Sequence, residues 1–522
     1  MNRKRIFALL AAVVMGSSLL VGCGGGKKAK QDDQEEEPVE QEVVDTEKHM
    51  NVALYWYGTS LDPATEYNGW TASRAGVTET LTKVGKNYQI EPLLADSWER
   101  KDDMTWVFHI RDGLVFSDGT PVTGTEVKAA LDRAIEIQSR AKSLAKIEEV
   151  QTDGQNVTIK TYKKFGALLS ALSDPVYSII KVGDDENYQK KPIGTGPYKI
   201  KSVEGNTTIN LEKNDLYWNG MPAVDTITAY CIEDDSTREI SLESGDVDAI
   251  LCLAPTDLLT LQETGRYKTL SVPNGRIRTL VLNESNPDLK KRKVRRALSY
   301  AIDYQQLVES CGDSVTRAGA PFSEYAPYGY DSLTKQTHNV EEAKRLLKEA
   351  GYRDTDKDGY VDKDGKNLDF IITYSSSDYL PMLEDIQKSA KECGIKIDLN
   401  LVDDVAEAEE NRGYDILCTS YQSLYNGVPE RYLNNLYTSN GSWNSFSYHN
   451  KKIDQLADQL SVTFSTKKRA KIVKKAQEIL LKDTASIWLM EDKNVIATNK
   501  KIKNVTAYPI DRYFIDQKIG LK

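Results

Sequence analysis

Cys23 is the residue whose surroundings most directly predict a covalent reaction in this chain. It follows Gly22 at the end of an apolar run, Ile6–Leu20, which three cationic residues, Arg3–Arg5, precede. This arrangement is typical of a secretory signal, and the run is too short to cross a bilayer comfortably. We expect the Cys23 thiol to accept a diacylglycerol and become the new N-terminus, because two or more acyl chains anchor a protein stably. The alternative is an ordinary signal peptide with a coincidental cysteine.

A second candidate for chemistry is the acidic string that begins at Asp354. Asp354-x-Asp356-x-Asp358-Gly359 is similar to the first half of a calcium-binding loop, but its twelfth position is Gly365 instead of a bidentate glutamate. Asp-Gly occurs twice in this string and is a hairpin signal. We therefore predict a turn-rich hairpin, and the sequence leaves a calcium site open as the alternative.

Motifs of extracellular hydrolases are absent or incomplete. His-Glu-x-x-His, Gly-x-Ser-x-Gly and the phosphate-binding loop do not occur. Ser-x-x-Lys occurs at Ser139–Lys142, Ser143–Lys146, Ser178–Lys181 and Ser332–Lys335, without the Lys-Thr-Gly partner of penicillin-recognising enzymes. We interpret these as chance matches in a chain rich in serine and lysine, and predict that the protein is not an enzyme.

Charge and cysteine content narrow the classes of ligand and fold. The formal net charge is −10, and removal of the three cationic signal residues takes it to −13. Nucleic acid and anionic lipid need a cationic field, so neither is expected as a ligand. The cysteines after Cys23 are few and widely spaced, which indicates neither a disulfide framework nor a zinc knuckle but leaves one disulfide open. They are Cys231, Cys252, Cys311, Cys393 and Cys418.

The elements that must position a site alternate between strands and helices. An acidic tether as far as residue 48 is too poor in apolar residues to fold. The chain beyond it is long enough for two or three lobes. Alternation predicts strands at Met104–Arg111, Val157–Thr161, Ile395–Leu401 and Asp415–Cys418. Helices are predicted from the capping box Thr123-x-x-Glu126 and at Val294–Val308, Glu341–Ala350, Leu380–Cys393 and Thr466–Leu480. The class is α/β with mixed sheets.

Several strings, in order from about residue 50 to the C-terminus, fit one family. The most recognisable is Pro192-Ile193-Gly194-Thr195-Gly196-Pro197-Tyr198, in which the glycines allow tight backbone geometry. The others are Leu94–Trp98, Thr105–Phe108, Phe116–Val122, Asn214–Trp218, Glu243–Asp248, Arg296–Asp303 and Ala343–Tyr352. Together they resemble the extracellular solute-binding proteins of the peptide and nickel ABC importers, family 5, with the motif spacing of the nickel and metallophore receptors.

The resemblance implies a periplasmic-binding-protein-like clamp of type II. Mixed sheets would form two lobes joined by two hinge crossings, with an extra subdomain in the first lobe. The crossings are expected near Ser271–Asn283 and Ala485–Asp492. The predicted division is a lipoprotein signal peptide at 1–22, lipidated Cys23 and a disordered tether at 23–48, lobe I at 49–277, lobe II at 278–487 and a return to lobe I at 488–522.

The resemblance leaves the ligand open between a peptide and a metal chelate. Dipeptide receptors of the family carry an acid near the loop Tyr421–Pro429, which here has none and has Val428 at the corresponding place. Nickel and metallophore receptors carry an arginine that grips a chelator carboxylate, and the spacing from Phe116 places Arg140 there. Arg74 is a second candidate, because guanidinium binds carboxylate bidentately. The alternative for both is an ordinary surface or salt-bridge arginine.

Two positions depart from the nickel receptors. Ser143 replaces the aromatic residue that follows the gripping arginine, and Val176 replaces a second arginine. His449 is the histidine that matches their metal ligand, although we favour a role for it in capping the turn before Lys452. A metal held by a small chelator needs few protein ligands, so nickel uptake stays open.

Aromatic residues complete the predicted site. Tyr67, Tyr421 and Tyr425 are expected to face the ligand, because tyrosine offers a rigid ring and a hydroxyl group at low entropic cost. The alternative is ordinary packing, since the chain holds 28 tyrosines.

The sequence therefore predicts a lipid-anchored, monomeric receptor on the extracytoplasmic face of the cell membrane. It would hand a small carboxylate-bearing solute, a nickel chelate or other metallophore, to the permease and ATPase subunits of an ABC importer, and it would need no cofactor. An oligopeptide receptor of the same family is the alternative, as is a signalling receptor with the same clamp, since all need only ligand-driven closure.

Overall fold

Strands from distant parts of the chain form one large mixed sheet, and residues 95–161 form a separate one. The computed structural model describes residues 47–183, 187–252 and 255–522. Its strands are β1 His49–Leu54, β2 Thr82–Val84, β3 Ile90–Pro92, β4 Ala95–Arg100, β5 Thr105–Ile110, β6 Ile147–Asp153, β7 Asn156–Thr161, β8 Tyr198–Glu204, β9 Thr208–Lys213, β10 Thr226–Cys231, β11 Ala249–Leu251, β12 Lys268–Leu282, β13 Val315–Arg317, β14 Asp362–Lys363, β15 Lys366–Asn367, β16 Asp369–Tyr374, β17 Lys396–Leu401, β18 Ile416–Gln422, β19 Ser486–Thr498, β20 Ile502–Lys503 and β21 Gly520–Leu521.

Helices cover the sheets, and several of them begin at a side-chain cap. At the start of α2 the Thr123 side chain accepts from a backbone N–H group and Glu126 bonds back to Thr123, so the predicted capping box is confirmed. The helices are α1 Gly69–Arg74, α2 Gly124–Ile137, α3 Ser139–Ala145, α4 Leu168–Ala171, α5 Asp235–Ser244, α6 Pro255–Thr264, α7 Arg292–Ala301, α8 Tyr304–Cys311, α9 Val340–Glu349, α10 Leu380–Glu392, α11 Ala406–Asn411, α12 Glu430–Tyr432, α13 Lys451–Ser461 and α14 Thr466–Asp483.

Two long strands, β12 and β19, connect the halves of the large sheet. Its strand order is β17-β16-β18-β12-β19-β11-β1-β10-β9-β8, with β13 also paired to β19. The register between β12 and β19 shifts between Pro273 and Ile277. Before the shift, β12 pairs with the C-terminal end of β19, which also pairs with β11. After the shift, β12 pairs with β19 along one edge and with β18 along the other. These strands coincide with the segments where the hinge crossings are predicted.

Separate apolar cores stabilise the two halves. The half built on β1, β8–β11 and the C-terminal segment has its own core, which includes Val52, Leu211 and Phe514. The other half has two cores on opposite faces of β12 and β18, one under α7–α10 and one under α13 and α14. The antiparallel sheet β4-β5-β7-β6 has a further core, against which α2 packs. We call the first half with this extra sheet lobe I and the second half lobe II.

Some predicted elements differ from the structure at their ends. The helix predicted at Val294–Val308 is two helices, α7 and α8, because the Asp303 side chain accepts from the N–H groups of Gln305 and Gln306 and starts a new helix. The predicted hairpin near Asp362 is confirmed as the pair β14–β15. The expected His449 cap is wrong, since Asn450 caps α13 by accepting from the Lys452 N–H group.

The Pro192–Tyr198 string has a packing role. A Cβ atom on Gly196 would lie 2.2 Å from the Gly76 carbonyl oxygen, so only glycine fits. Thr195 donates to the Glu79 carboxylate at 3.0 Å, as do the hydroxyl group of Tyr217 at 2.8 Å and the indole of Trp218 at 3.0 Å. Two of the recognised strings therefore meet around one half-buried carboxylate.

The predicted signal peptide, Cys23 and the tether as far as residue 46 lie outside the described residues. Within the described part of the chain, no helix is both long and apolar enough to cross a membrane. The five cysteines after Cys23 are all described and none forms a disulfide.

Candidate functional site

A cavity of about 490 Å³ lies where lobe I meets lobe II, and we call it the inner chamber. Lobe I supplies the residues that follow β1, helix α1 and the segment Pro509–Arg512. Lobe II supplies the end of β18, the loop after it and α12. The lining residues are Tyr55, Trp56, Tyr67, Trp70, Arg74, Asn274, Arg276, Ser420, Tyr421, Gln422, Leu424, Tyr425, Asn426, Arg431, Trp443, Asn494, Pro509, Ile510, Asp511 and Arg512.

Arg74 lines the inner chamber, but its charge is already paired. Its side chain is 2% exposed, and its guanidinium binds Asp511 at 2.7 Å and lies 4.3 Å from the centre of the Tyr55 ring. The Tyr55 hydroxyl group donates to the same carboxylate at 2.6 Å. Burial opposes ionisation of Asp511, but the Arg74 guanidinium and the Tyr55 hydroxyl group outweigh it and lower the pKa of Asp511. Asp511, an acid near the C-terminus, was not predicted from the sequence.

Arg140 lines a second cavity, of about 980 Å³, which we call the outer chamber. Asp174, whose side chain is completely buried, accepts from both terminal nitrogens of Arg140 at 3.2–3.3 Å. Arg140 also donates to the Tyr425 hydroxyl group at 3.2 Å and lies 4.7 Å from the centre of the Tyr67 ring. Arg74 and Arg140 therefore lie in neighbouring chambers and not side by side.

The Asp174 carboxylate connects the lobes. From lobe II it accepts the Tyr425 hydroxyl group at 2.7 Å and the Asn426 amide at 3.2 Å. Asn426 also accepts from Arg512 of lobe I at 2.6 Å. Burial opposes ionisation of Asp174, yet the charges of Arg140 and Arg512 lower its pKa. The arrangement is an ionised, hydrogen-bonded contact across the cleft.

Three of the predicted aromatic residues meet at the inner chamber. Tyr67 is 45% exposed in lobe I, and Tyr425 lines both chambers from lobe II. Tyr421 stacks on Trp443 with ring centres 5.8 Å apart and an angle of 21° between the planes. Rings on both lobes can therefore enclose a small, partly apolar ligand.

The outer chamber is larger and more polar. It shares Tyr425, Asn426 and Arg431 with the inner chamber and adds lysines from lobe I and amides and acids from lobe II. Those residues are Lys146, Lys163, Lys164, Asn434, Asn435, Asn440, Glu430, Asp454 and Asp458. Val428 and Ser143, two of the departures from related receptors, also line it, whereas Val176 is buried in the core of lobe I.

The predicted metal ligand lies away from both chambers. His449 is exposed just before α13 and is not among the residues that line either chamber. In the described residues, Asp354, Asp356 and Asp358 are the one group of three side chains whose ligand atoms all come within 4.8 Å of one another. All three are exposed, and the group is far in sequence from the cleft.

Sequence reasoning missed three arginines of the inner chamber, namely Arg276, Arg431 and Arg512. Arg431 lies two residues beyond the loop Tyr421–Pro429, and this closeness to a predicted ligand loop was a signal in the sequence. Arg512 carried no local signal, since it reaches the site only when the C-terminal segment packs against α1.

Comparisons with known proteins agree with this architecture. Residues 89–444 match the family model described as bacterial extracellular solute-binding proteins, family 5, middle region. The nickel-binding protein NikA of Staphylococcus aureus is 28% identical over 479 residues, 91% of this chain and 94% of that protein. The glutathione-binding protein GsiB of Escherichia coli K12 is 26% identical over 494 residues, 88% of this chain and 92% of that protein.

Solved structures extend the comparison to the whole fold. A crystal structure of the nickel ABC transporter from Bacillus halodurans has a TM-score of 0.82 and 29% identity, covering 91% of this chain and 100% of that one. A structure of NikA from Staphylococcus aureus in complex with Ni(L-His)2 has a TM-score of 0.70 and 26% identity, with the same coverage. The predicted α/β two-lobed clamp is confirmed.

Proposed function

The chain belongs to the bacterial extracellular solute-binding proteins of family 5, substrate-binding proteins of ABC importers, and we propose that it captures a nickel chelate or another carboxylate-bearing metallophore. Clamp closure around the solute would present it to the permease. The metal is cargo in this proposal, and the protein needs no cofactor of its own.

The charge of the inner chamber is the observation that carries the proposal. Among its described lining residues are four arginines, Arg74, Arg276, Arg431 and Arg512, and one carboxylate, Asp511. A cavity with this excess of positive charge favours an anionic ligand, and its aromatic walls favour one with flat or apolar parts. A chelate whose carboxylates project from an imidazole or similar ring has both properties.

The five predicted ligand-binding residues take different parts in this proposal. Tyr67, Tyr421 and Tyr425 enclose the solute. Arg140 acts from the outer chamber and reaches the solute beside Tyr425, while Arg74 is held by Asp511 and shapes the wall. His449 lines neither chamber, so this arrangement gives it no contact with the solute.

Lobe motion in the proposal follows the two long strands. We place the hinge at the register shift of β12, near Asn274–Arg276, and at the facing residues of β19. Lobe I would then extend from residue 49 to 277, lobe II from 278 to 487 and the return to lobe I from 488 to 522.

Native mass spectrometry with metal analysis tests the proposal. The unit from Glu47 to Lys522 should be purified without denaturation. A bound mass that contains nickel or another transition metal supports a metallophore receptor. A ladder of peptide masses without metal refutes it.

An oligopeptide ligand is the second candidate, and the outer chamber favours it. Its volume of about 980 Å³ and its amide-rich wall suit an extended polar chain. The glutathione-binding relative shows that peptide-like ligands occur among similar proteins. The peptide ladder described above is the result that would select this candidate.

Membrane anchoring through Cys23 is part of the proposal. Cys23→Ser should release the protein from the membrane fraction into the medium, because acyl chains are its only proposed anchor. Retention of the variant in the membrane fraction would contradict it. Co-purification of the anchored protein with permease and ATPase subunits separates an importer receptor from a signalling receptor with the same clamp.

A further inference from the structure

The arginines of the two chambers differ in their partners. Arg74 is paired with Asp511, and Arg140 with Asp174. Arg512 donates to the Ser173 carbonyl oxygen at 2.7 Å and to Asn426. Each of these three guanidinium groups is tied to a partner inside the protein, although Nη1 of Arg74 and Nε of Arg512 are buried without a hydrogen bond among the described residues.

Arg276 and Arg431 are different. Among the described residues, the Arg276 guanidinium donates only to the Ser420 hydroxyl group, at 3.3 Å. Arg431 contacts the rings of Tyr425 and Trp443, at 4.6 and 5.3 Å from their centres. Across the described residues, no carboxylate forms an ion pair with either guanidinium. Both side chains are exposed and line the inner chamber.

The stacking of Arg431 has a chemical consequence. Rings that contact the face of a guanidinium hold its plane but leave the N–H groups at its edge free. Those N–H groups form a fork that matches a carboxylate, and such charge-assisted bonds are the stronger kind. Arg431 is therefore preorganised to accept an anion from outside the protein.

The position of both arginines in the inner chamber also bears on clamp closure. Arg276 lies in the hinge segment of β12, opposite Gln422 of lobe II, and Arg431 lies in α12 of lobe II. Tyr55, Tyr67 and Trp70 line the same chamber from lobe I. A carboxylate bound by these two arginines would place the rest of its molecule against the lobe I rings, and so would favour closure.

We propose that Arg276 and Arg431 form an anion site in the inner chamber that binds a free carboxylate of the solute and selects carboxylate-bearing chelates over neutral or cationic ones. The proposal rests on the proposed function and names the group by which the receptor would distinguish its cargo. Arg74, Arg140 and Arg512 would shape the chambers around this contact.

Paired ligands that differ only in the carboxylate provide the test. The full chain is titrated by calorimetry with Ni²⁺ premixed with L-histidine and, separately, with Ni²⁺ premixed with histamine, which has the same imidazole and amine but no carboxylate. Arg431→Gln and Arg276→Gln are compared with Arg292→Gln, an exposed arginine in α7 that lines neither chamber. Thermal unfolding of each variant checks that it is folded.

The expected result is specific to the carboxylate. Each of the two variants should weaken binding of the histidine complex at least about tenfold and change binding of the histamine complex by less than about twofold. Arg431→Lys should recover only part of the loss, because an ammonium group lacks the fork. Arg292→Gln should bind both complexes with the affinity of the wild-type protein.

Two results would overturn the proposal in distinguishable ways. In the first, the wild-type protein binds the histidine complex, and the two variants either bind it equally well or lose both complexes equally. This result would refute the anion site but not the proposed function. In the second, the wild-type protein binds neither complex. This result would exclude nickel–histidine as the cargo and would refute an anion site for it as well.

Discussion

Replacing Arg140 with alanine removes the cation that contacts Asp174, Tyr425 and Tyr67. The variant loses bonds of 3.2–3.3 Å to the buried carboxylate and of 3.2 Å to the Tyr425 hydroxyl group, together with the contact to the Tyr67 ring. Asp174 keeps three donors, namely Tyr425, Asn426 and the Val176 N–H group. The carboxylate would therefore stay ionised without its nearest counter-charge.

The size of the effect follows from this geometry. Removing one partner of a fully buried ion pair costs about 3–5 kcal/mol. The Arg140 side chain is 24% exposed and Asp174 keeps three other donors, so we expect a smaller loss of unfolding free energy, about 1–3 kcal/mol. If Arg140 also contacts the solute, affinity should fall at least about tenfold, equivalent to about 1.4 kcal/mol.

Asp174→Asn separates the structural effect from the ligand effect. It removes the charge that holds Arg140, so it should lower stability by an amount similar to that of Arg140→Ala. It also frees the guanidinium for an anionic solute, so affinity should stay the same or increase. The two variants are expected to change stability in the same direction and affinity in different directions.

The assay combines urea unfolding with calorimetric titration of the ligand found by native mass spectrometry. Asp458→Asn is the matched control, because it removes an exposed carboxylate from the same chamber. Unchanged affinity of Arg140→Ala would remove Arg140 from the site. Equal weakening by Arg140→Ala and Asp174→Asn would show that the pair acts only by holding the lobes together.

Two further predictions concern the fold. Burial raises the pKa of Glu491, whose carboxylate accepts from the Gly275 N–H group at the register shift, from 4.5 to about 7. A raised carboxyl pKa gives stability that is complete below about pH 4.5 and is lost as the pH rises through about 7. Between these limits the wild-type unfolding free energy should therefore fall by up to about 3 kcal/mol relative to that of Glu491→Gln, as measured by urea unfolding across the range, and parallel pH profiles would contradict this. Gly196→Ala should cost at least about 2 kcal/mol of unfolding free energy, because its Cβ atom would lie 2.2 Å from the Gly76 carbonyl oxygen. Its folded fraction should bind ligand with unchanged affinity, and a selective loss of affinity would instead give the string a role in binding.

Local chemistry explains which parts of the fold the sequence predicted well. The capping box at Thr123 and Glu126 forms within one helical turn, and the β14–β15 hairpin forms within a few residues, so both depend on neighbours in the chain. Alternation likewise located β5 and β17, because a strand with one buried face must alternate. The break between α7 and α8 was missed although Asp303 is a local cap, since the apolar period continues across it.

What the sequence by itself determined was the class of protein: an α/β clamp, recognised from strings that pack around glycines and Glu79. Only the tertiary structure decided the state of the site. Arg74 meets Asp511 across 437 residues of chain and Arg140 meets Tyr425 across 285, whereas Arg276 and Arg431 meet no carboxylate among the described residues. Whether an arginine forms an ion pair depends on which distant segment of the chain packs against it, and the spacing of neighbouring residues does not predict that.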